Sequence, residues 1–160
     1  MARVSPPLAA ARWVALALPT ALLAGAWGSQ IWGGLFPCEM CHWQRWPHYA
    51  AVVLAALAFA VPARAVRPLV VAAGIAILVS GVIGLFHAGV EYHWWAGITR
   101  CTQMLAAESG EDMLAQIMAT PLVRCDDAQW TLFGISLAGW NALFSGLGGS
   151  TVLALALNRR

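Results

Sequence analysis

Charge interrupts this chain at few places, and the intervals between those interruptions limit what it can fold into. Four stretches contain no Asp, Glu, Lys or Arg: Trp13 to Cys38, Trp46 to Ala63, Pro68 to Val90, and Ala128 to Asn158. Charge is expensive in hydrocarbon, and a helix needs about 20 mainly apolar residues to cross a bilayer. Each of the three long intervals therefore predicts one spanning helix, and the 18-residue second interval is just sufficient. The expected fold is all-α: a membrane-embedded four-helix bundle forming one integral membrane domain over residues 1–160. Its spans fall near 13–32, 46–62, 69–89 and 131–156, with outer loops near 33–45 and 90–130. Charged residues are 10% of the chain, less than half the roughly one quarter found in soluble domains, which excludes a soluble enzyme or a disordered tail. All nine basic residues are Arg and the formal net charge is only +2, so no basic patch tracks phosphates and no nucleic-acid partner is expected.

The first interval also has the outline of a secretory signal, with Arg3 and Arg12 ahead of an apolar run reaching Ala24-Gly25-Ala26. The run continues through Trp27, Ile31, Trp32, Leu35 and Phe36, longer than a signal core, and a spanning helix is the better reading. Small residues four apart, Gly25 with Ser29, Ser80 with Gly84 and Ser145 with Gly149, predict close helix packing.

Orientation follows from where the charges fall. Arg3, Arg12, Arg64, Arg67, Arg159 and Arg160 occupy the N-terminus, the second connection and the C-terminus, whereas all seven acids lie in the other two connections. The positive-inside rule then puts both termini in the cytoplasm. The four cysteines, Cys38, Cys41, Cys101 and Cys125, all fall in the outer loops, where disulfides form and persist if outside is a periplasm. Four cysteines allow three connectivities, and topology favours Cys38 with Cys41 and Cys101 with Cys125.

The tight pair lies in Pro37-Cys38-Glu39-Met40-Cys41-His42-Trp43-Gln44-Arg45, directly before the second span. At a helix N-terminus the dipole and free N–H groups stabilise a thiolate, the nucleophile of disulfide exchange. If the segment is already helical, Arg45 lies one turn beyond Cys41 on the same face; alone, it would read as a membrane-edge Arg snorkelling to the headgroups. Pro47 makes the helix either begin near Trp46 or kink there. Cys38-x-x-Cys41-His42 also matches the attachment motif of c-type haem, but haem leaves the second pair unexplained. A four-cysteine zinc site is disfavoured by the 23 residues between Cys101 and Cys125, and no metal is expected. A Cys101/Cys125 bridge alone would be a structural staple worth about 3 to 4 kcal/mol; beside a redox pair it becomes a disulfide that can be presented to a partner. Between these cysteines, 111–119 reads as a short amphipathic helix on the membrane surface.

The chain resembles the DsbB family of membrane disulfide-generating proteins over almost its whole length. The resemblance rests on four spans, the outer C-x-x-C followed by Gln44-Arg45, the second cysteine pair in a long outer loop, Phe86-His87-Ala88-Gly89-Val90-Glu91 ending the third span, and Cys125 followed by Trp130. Met40 and Pro47 depart from the usual pattern without removing a reactive group. The resemblance implies a multi-pass protein of the bacterial inner membrane with periplasmic cysteine loops, and a quinone-dependent thiol oxidase. The DsbA, DsbB and quinone system is itself the standard example of a kinetically oxidising periplasm. A DsbA-like, thioredoxin-fold partner would reduce Cys101/Cys125 by attack at Cys101. That dithiol would reduce Cys38/Cys41, and Cys41 would pass the electron pair to ubiquinone or menaquinone from the membrane pool. By the same resemblance Arg45 is the quinone-site arginine. His87 is a candidate to hydrogen-bond a quinone oxygen or supply a proton. Trp43 and Trp46 stand close enough to line a ring pocket; the other tryptophans read as interfacial anchors. His42, His48 and His93 receive no role. The alternatives are a membrane c-type cytochrome, and a thiol reductase or vitamin K epoxide reductase-like enzyme running electrons the other way.

The predicted topology is checked with reporter fusions: a reporter active only in the periplasm should work when fused after Gly97 and fail when fused after Asn158.

Overall fold

The computed structural model describes residues 4–99 and 123–158. Four helices account for most of them: α1 (Pro6–Ile31), α2 (Glu39–Ala60), α3 (Ala63–Glu91) and α4 (Leu137–Leu157). Cys101, and with it the expected Cys101/Cys125 pair and the amphipathic stretch 111–119, lies outside the described residues. Helices α1, α3 and α4 are each long and apolar enough to cross a membrane. Helix α2 falls short by composition because its first three turns carry Glu39, His42, Gln44, Arg45 and His48. Of these, Glu39 and His42 in the first turn are exposed, whereas Gln44, Arg45 and His48 are buried, so beyond its first turn the helix directs these three inward and apolar residues such as Val53 and Leu57 outward.

Helix starts follow the local chemistry. Ser5 precedes Pro6 and Pro7, whose fixed φ suits the first turn of α1. Helix α2 begins earlier than the expected span because Cys38 is its N-cap: the thiol accepts a hydrogen bond from the Cys41 N–H at 3.2 Å. The helix then runs through Pro47, so the C-x-x-C and Arg45 belong to one helix. Helix α4 starts at Leu137, capped by Ser136 Oγ accepting from the Gly139 N–H. The residues just before it form a minimal hairpin, β1 (Thr131–Leu132) against β2 (Ile135–Ser136). Its turn residues Phe133 and Gly134 have φ of 52° and 77°, the geometry that lets two strands reverse in two residues. Tyr92, just past α3, pins the hairpin by donating to the Gly134 carbonyl and accepting from the Ser136 N–H.

Each helix packs on its neighbours, α3 against α2 and α4 and α1 against α2 and α4. The centre is built from small side chains, including Ala11, Ala15, Ala51, Ala55, Ala73 and Ala156, while Trp13, Val82, Leu85 and Leu147 are exposed on the outside. An apolar exterior around a close-packed interior of small residues is the pattern of helices in lipid, where packing rather than exclusion of water holds helices together. Two of the three expected small-residue pairs do this packing. A Cβ on Gly84 would sit 2.9 Å from Asn141 Nδ2 and 3.0 Å from the Ala138 carbonyl oxygen, and one on Gly149 would sit 2.7 Å from Leu78 Cγ. Gly25 instead has nothing within 4 Å of that position and, with Ser29, lines a cavity.

Gly84→Val should therefore overpack the α3/α4 contact and destabilise the protein by about 1 to 3 kcal/mol, seen as a lower unfolding midpoint in detergent. Gly146→Ala, where nothing lies within 4 Å, should leave it unchanged or slightly raised.

Candidate redox site

The end of the molecule that carries Cys38 gathers residues from every helix. The Cys38 and Cys41 sulfurs are 2.7 Å apart, as a C-x-x-C opening a helix requires. Cys125 is fully buried and is carried to Cys38 by the segment preceding the hairpin. That segment is fastened to the connection between α1 and α2 by Gln129, which donates to the Phe36 carbonyl at 2.8 Å. Beside Cys125, Arg124 forks onto Asp126 with two parallel hydrogen bonds, holding the Asp126 carboxyl below its ordinary range. The Cys38 and Cys125 sulfurs and a ring nitrogen of His87 lie within 4.8 Å of one another.

His87 is not a solvated edge residue. It is 2% exposed, its Nε2 lies 3.6 Å from Cys38 Sγ and 3.7 Å from Glu91 Oε1, and its Nδ1 is 2.7 Å from Gln44 Nε2. Met40, Trp43, Phe86, Val90 and Val123 pack around the sulfurs, so the thiols sit in an apolar shell. The Cys125 and Cys41 thiols hydrogen-bonded to Cys38, together with its burial, push the Cys38 thiol well up from its ordinary value, outweighing the Cys41 N–H that favours its thiolate.

Arg45 is also buried rather than snorkelling. Its guanidinium donates to Gln30 Oε1 at 2.9 Å and to the Ala26 carbonyl at 3.1 Å, and it lies 5.4 Å from the Trp27 ring. Among the described residues no carboxylate forms an ion pair with it. A permanent cation held by neutral acceptors keeps its attraction for an incoming anion. Arg45 faces a cavity of about 440 Å³ between the helices, whose wall includes Cys41, Arg45, His48, His87, Trp130 and Trp140. Trp130 and Trp140 thus take the place expected of Trp43 and Trp46: Trp43 packs on the sulfurs instead, and Trp46 is 63% exposed. The volume is in the range of small-molecule sites, and three residues that line it carry a buried polar atom with no hydrogen-bond partner among the described residues: His48 Nδ1, Glu91 Oε2 and Trp140 Nε1.

Gln44, His48, Ser80, Asn141 and Ser145 form a polar network that the sequence did not single out. Asn141 Nδ2 donates to Gln44 Oε1 at 2.9 Å and to the Ser80 carbonyl at 3.2 Å. Asn141 Oδ1 lies 2.9 Å from both His48 Nε2 and Ser145 Oγ, and Ser80 Oγ donates to the Gln44 carbonyl. The available signal was polar residues inside apolar spans, which are expensive there and mark function; the two serines were read only for their size.

A helical protein exposing apolar faces, with two buried thiols and a half-buried one, an imidazole and a buried cation beside a cavity, has the equipment of a multi-pass membrane disulfide oxidoreductase. The family model for disulfide bond formation protein DsbB matches residues 9–156, and the chain belongs to that family. No curated protein and no solved structure matches the chain.

A raised Cys38 thiol gains thiolate only as pH rises. In the reduced protein, alkylation followed by mass spectrometry should find Cys41 modified well before Cys38 at neutral pH, with the gap narrowing at alkaline pH; equal neutral rates would contradict this ordering.

Proposed function

We propose that the chain is a quinone-dependent thiol oxidase that makes disulfides de novo in the bacterial inner membrane, reoxidising a periplasmic DsbA-like, thioredoxin-fold protein. The observation that carries this reading is the unbroken placement of Cys125 against Cys38, Cys38 against Cys41, and Cys41 on the wall of the cavity that Arg45 faces. All four helices span the membrane as a bundle, α2 among them, because Gln44, Arg45 and His48 beyond its first turn are buried. Arg12, Arg64 and Arg67 lie at the cytoplasmic end with both termini, and the cysteine loops are periplasmic.

The closeness of Cys125 to Cys38 and of Cys38 to Cys41 supports the middle of the exchange sequence; the steps through Cys101 rest on the family resemblance. A thiolate of the reduced partner attacks Cys101 in a Cys101/Cys125 disulfide; the partner–Cys101 bond forms and the electron pair goes to Cys125. The partner's second thiol then releases it oxidised and leaves the loop as a dithiol. Cys125 attacks Cys38, the sulfur beside it; the Cys38–Cys125 bond forms, the Cys38–Cys41 bond breaks, and the pair goes to Cys41. Cys101 then attacks Cys125 to restore the loop disulfide, and the pair on that bond goes to Cys38. Exchange of this kind needs the attacking sulfur in line and partly ionised, and the apolar shell excludes competing water.

The cavity fits a quinone ring: it is largely apolar, of suitable volume, and its lining residues include a buried cation and three polar atoms without a partner among the described residues. A quinone bound there would supply the oxidising power by accepting two electrons and two protons. Arg45 would face the developing negative charge, where low dielectric strengthens the attraction, and His87, on the same wall, can donate a hydrogen bond. A c-type cytochrome is disfavoured because His42, the axial ligand its motif needs, is exposed while Cys38 is buried against Cys125.

Purified protein given a reduced dithiol partner should reduce added quinone, and Cys41→Ser should abolish this; turnover unaffected by that substitution would remove the mechanism. Arg45→Ala should lower quinone reduction about 100-fold while leaving thiol exchange with the partner intact. Equal loss of both would make Arg45 structural.

A further inference from the structure

Side-chain amides have two ends that differ only in what they donate or accept, so a chain of amides is oriented by whichever contacts admit one assignment. Two such contacts fix the amides here. The Ser80 carbonyl can only accept, so the Asn141 atom 3.2 Å from it is the amino group; that amino group also reaches Gln44, so the Gln44 atom at 2.9 Å is the carbonyl oxygen. Independently, the Met40 carbonyl lies 3.3 Å from the other end of Gln44, which must again be the amino group. That amino group is the 2.7 Å neighbour of His87 Nδ1. A donor there requires an unprotonated Nδ1. The opposite nitrogen, Nε2, has Glu91 Oε1 at 3.7 Å and Cys38 Sγ at 3.6 Å, and the Cys125 backbone is a further hydrogen-bond partner of the ring; sulfur, carboxylate and carbonyl all suit an N–H.

We propose that Gln44, oriented by Asn141, is a positioning residue that locks His87 in the neutral tautomer with its proton on Nε2, making it a fixed hydrogen-bond donor to the Cys38 sulfur rather than a proton shuttle. A second proton on Nδ1 would point at the Gln44 amino group, donor against donor, in a buried site where an unmade hydrogen bond costs most. The neutral ring has no lone pair on the Cys38 side, so it cannot act as a base there, and giving up Nε2–H would leave an imidazolate. Its remaining action is on charge. When an incoming thiolate attacks Cys125 in a Cys38–Cys125 bond, the new bond forms at Cys125 and the electron pair stays on Cys38; Nε2–H is the donor placed to receive it. Among the described residues, Cys38, Cys125 and Glu91 lie against His87 and are acids, so a neutral donor is maintained against neighbours that would otherwise favour imidazolium. The same lock disfavours a metal on Cys38, His87 and Cys125. A histidine ligand normally donates its other N–H to a carbonyl or carboxylate, and here the group waiting at Nδ1 is itself a donor.

The catalytic consequence rests on the thiol-oxidase reading; the tautomer does not. Nitrogen NMR of the reduced protein, with isotope-labelled histidine in detergent at neutral pH and His87 assigned by His87→Phe, reads both ring nitrogens directly. Wild type should show Nδ1 at the unprotonated position and Nε2 protonated. Gln44→Glu, which puts an acceptor at Nδ1, should move Nδ1 to the protonated position. A protonated Nδ1 in wild type would overturn the proposal, as would a folded Gln44→Glu protein with the wild-type spectrum. If circular dichroism shows that Gln44→Glu does not fold, the wild-type spectrum decides alone. Quinone reduction measured on the same wild-type sample separates the two readings: no turnover with an unprotonated Nδ1 sinks the oxidase and leaves the tautomer standing.

Discussion

Asn141 joins three helices through one side chain. From α4 it donates to the Gln44 side chain on α2 and the Ser80 backbone on α3, and accepts from His48 on α2. In hydrocarbon no water replaces a broken contact, and an unpaired amide there costs several kcal/mol, so these bonds set helix register as well as strength. The network forms only because Gly84 leaves room: any side chain at that position would strike Asn141 Nδ2 at 2.9 Å. Glycine on one helix and a bidentate amide on the next are parts of a single contact.

The redox geometry depends on that contact. Gln44 is held from behind by Asn141 and from its own helix by Met40, and it in turn holds His87. His87 then faces the sulfurs, and Cys38 receives both the helix N-terminus and the segment that precedes the hairpin, brought over by Gln129 and the hairpin that Tyr92 pins. Rigid helices thus position Cys38, Cys41 and His87, whereas Cys125 arrives on a short tethered segment. That division suits the exchange proposed for Cys125, since thiol exchange proceeds by bringing one sulfur at a time into line with a disulfide.

Much of the site was legible because its residues are costly where they stand. Four cysteines confined to the two connections that also hold all seven acids, an Arg beside a C-x-x-C, and a His at the end of an apolar span each stood out against a charge-poor background. The helical starts were less visible. Pro47 suggested a helix beginning or kinking near Trp46, but a thiol can cap a helix, and Cys38 starts α2 well upstream. The hairpin at 131–136 lay hidden in a charge-free run because such a run cannot distinguish a strand pair from a helix when both avoid charge. Tryptophan positions misled for a related reason: proximity in sequence to the cysteines favoured Trp43 and Trp46, while the cavity wall is supplied by Trp130 and Trp140 from the other end of the chain.

What the sequence determined by itself is which segments avoid water and which chemistry stands at their ends, because the cost of charge in hydrocarbon acts residue by residue and needs no fold to be counted. It also carried the disulfide oxidoreductase family on its motifs, confirmed over residues 9–156. The tertiary structure alone decided which sulfur Cys125 meets, that Arg45 is buried with no carboxylate paired to it among the described residues, and that Ser80, Ser145, His48 and Asn141 form one network. Those facts depend on the rotation and separation of helices packed through small residues, where a displacement of an ångström exchanges a hydrogen bond for a clash. Sequence fixes the side chains available for such contacts; only packing decides which pairs come within hydrogen-bonding distance.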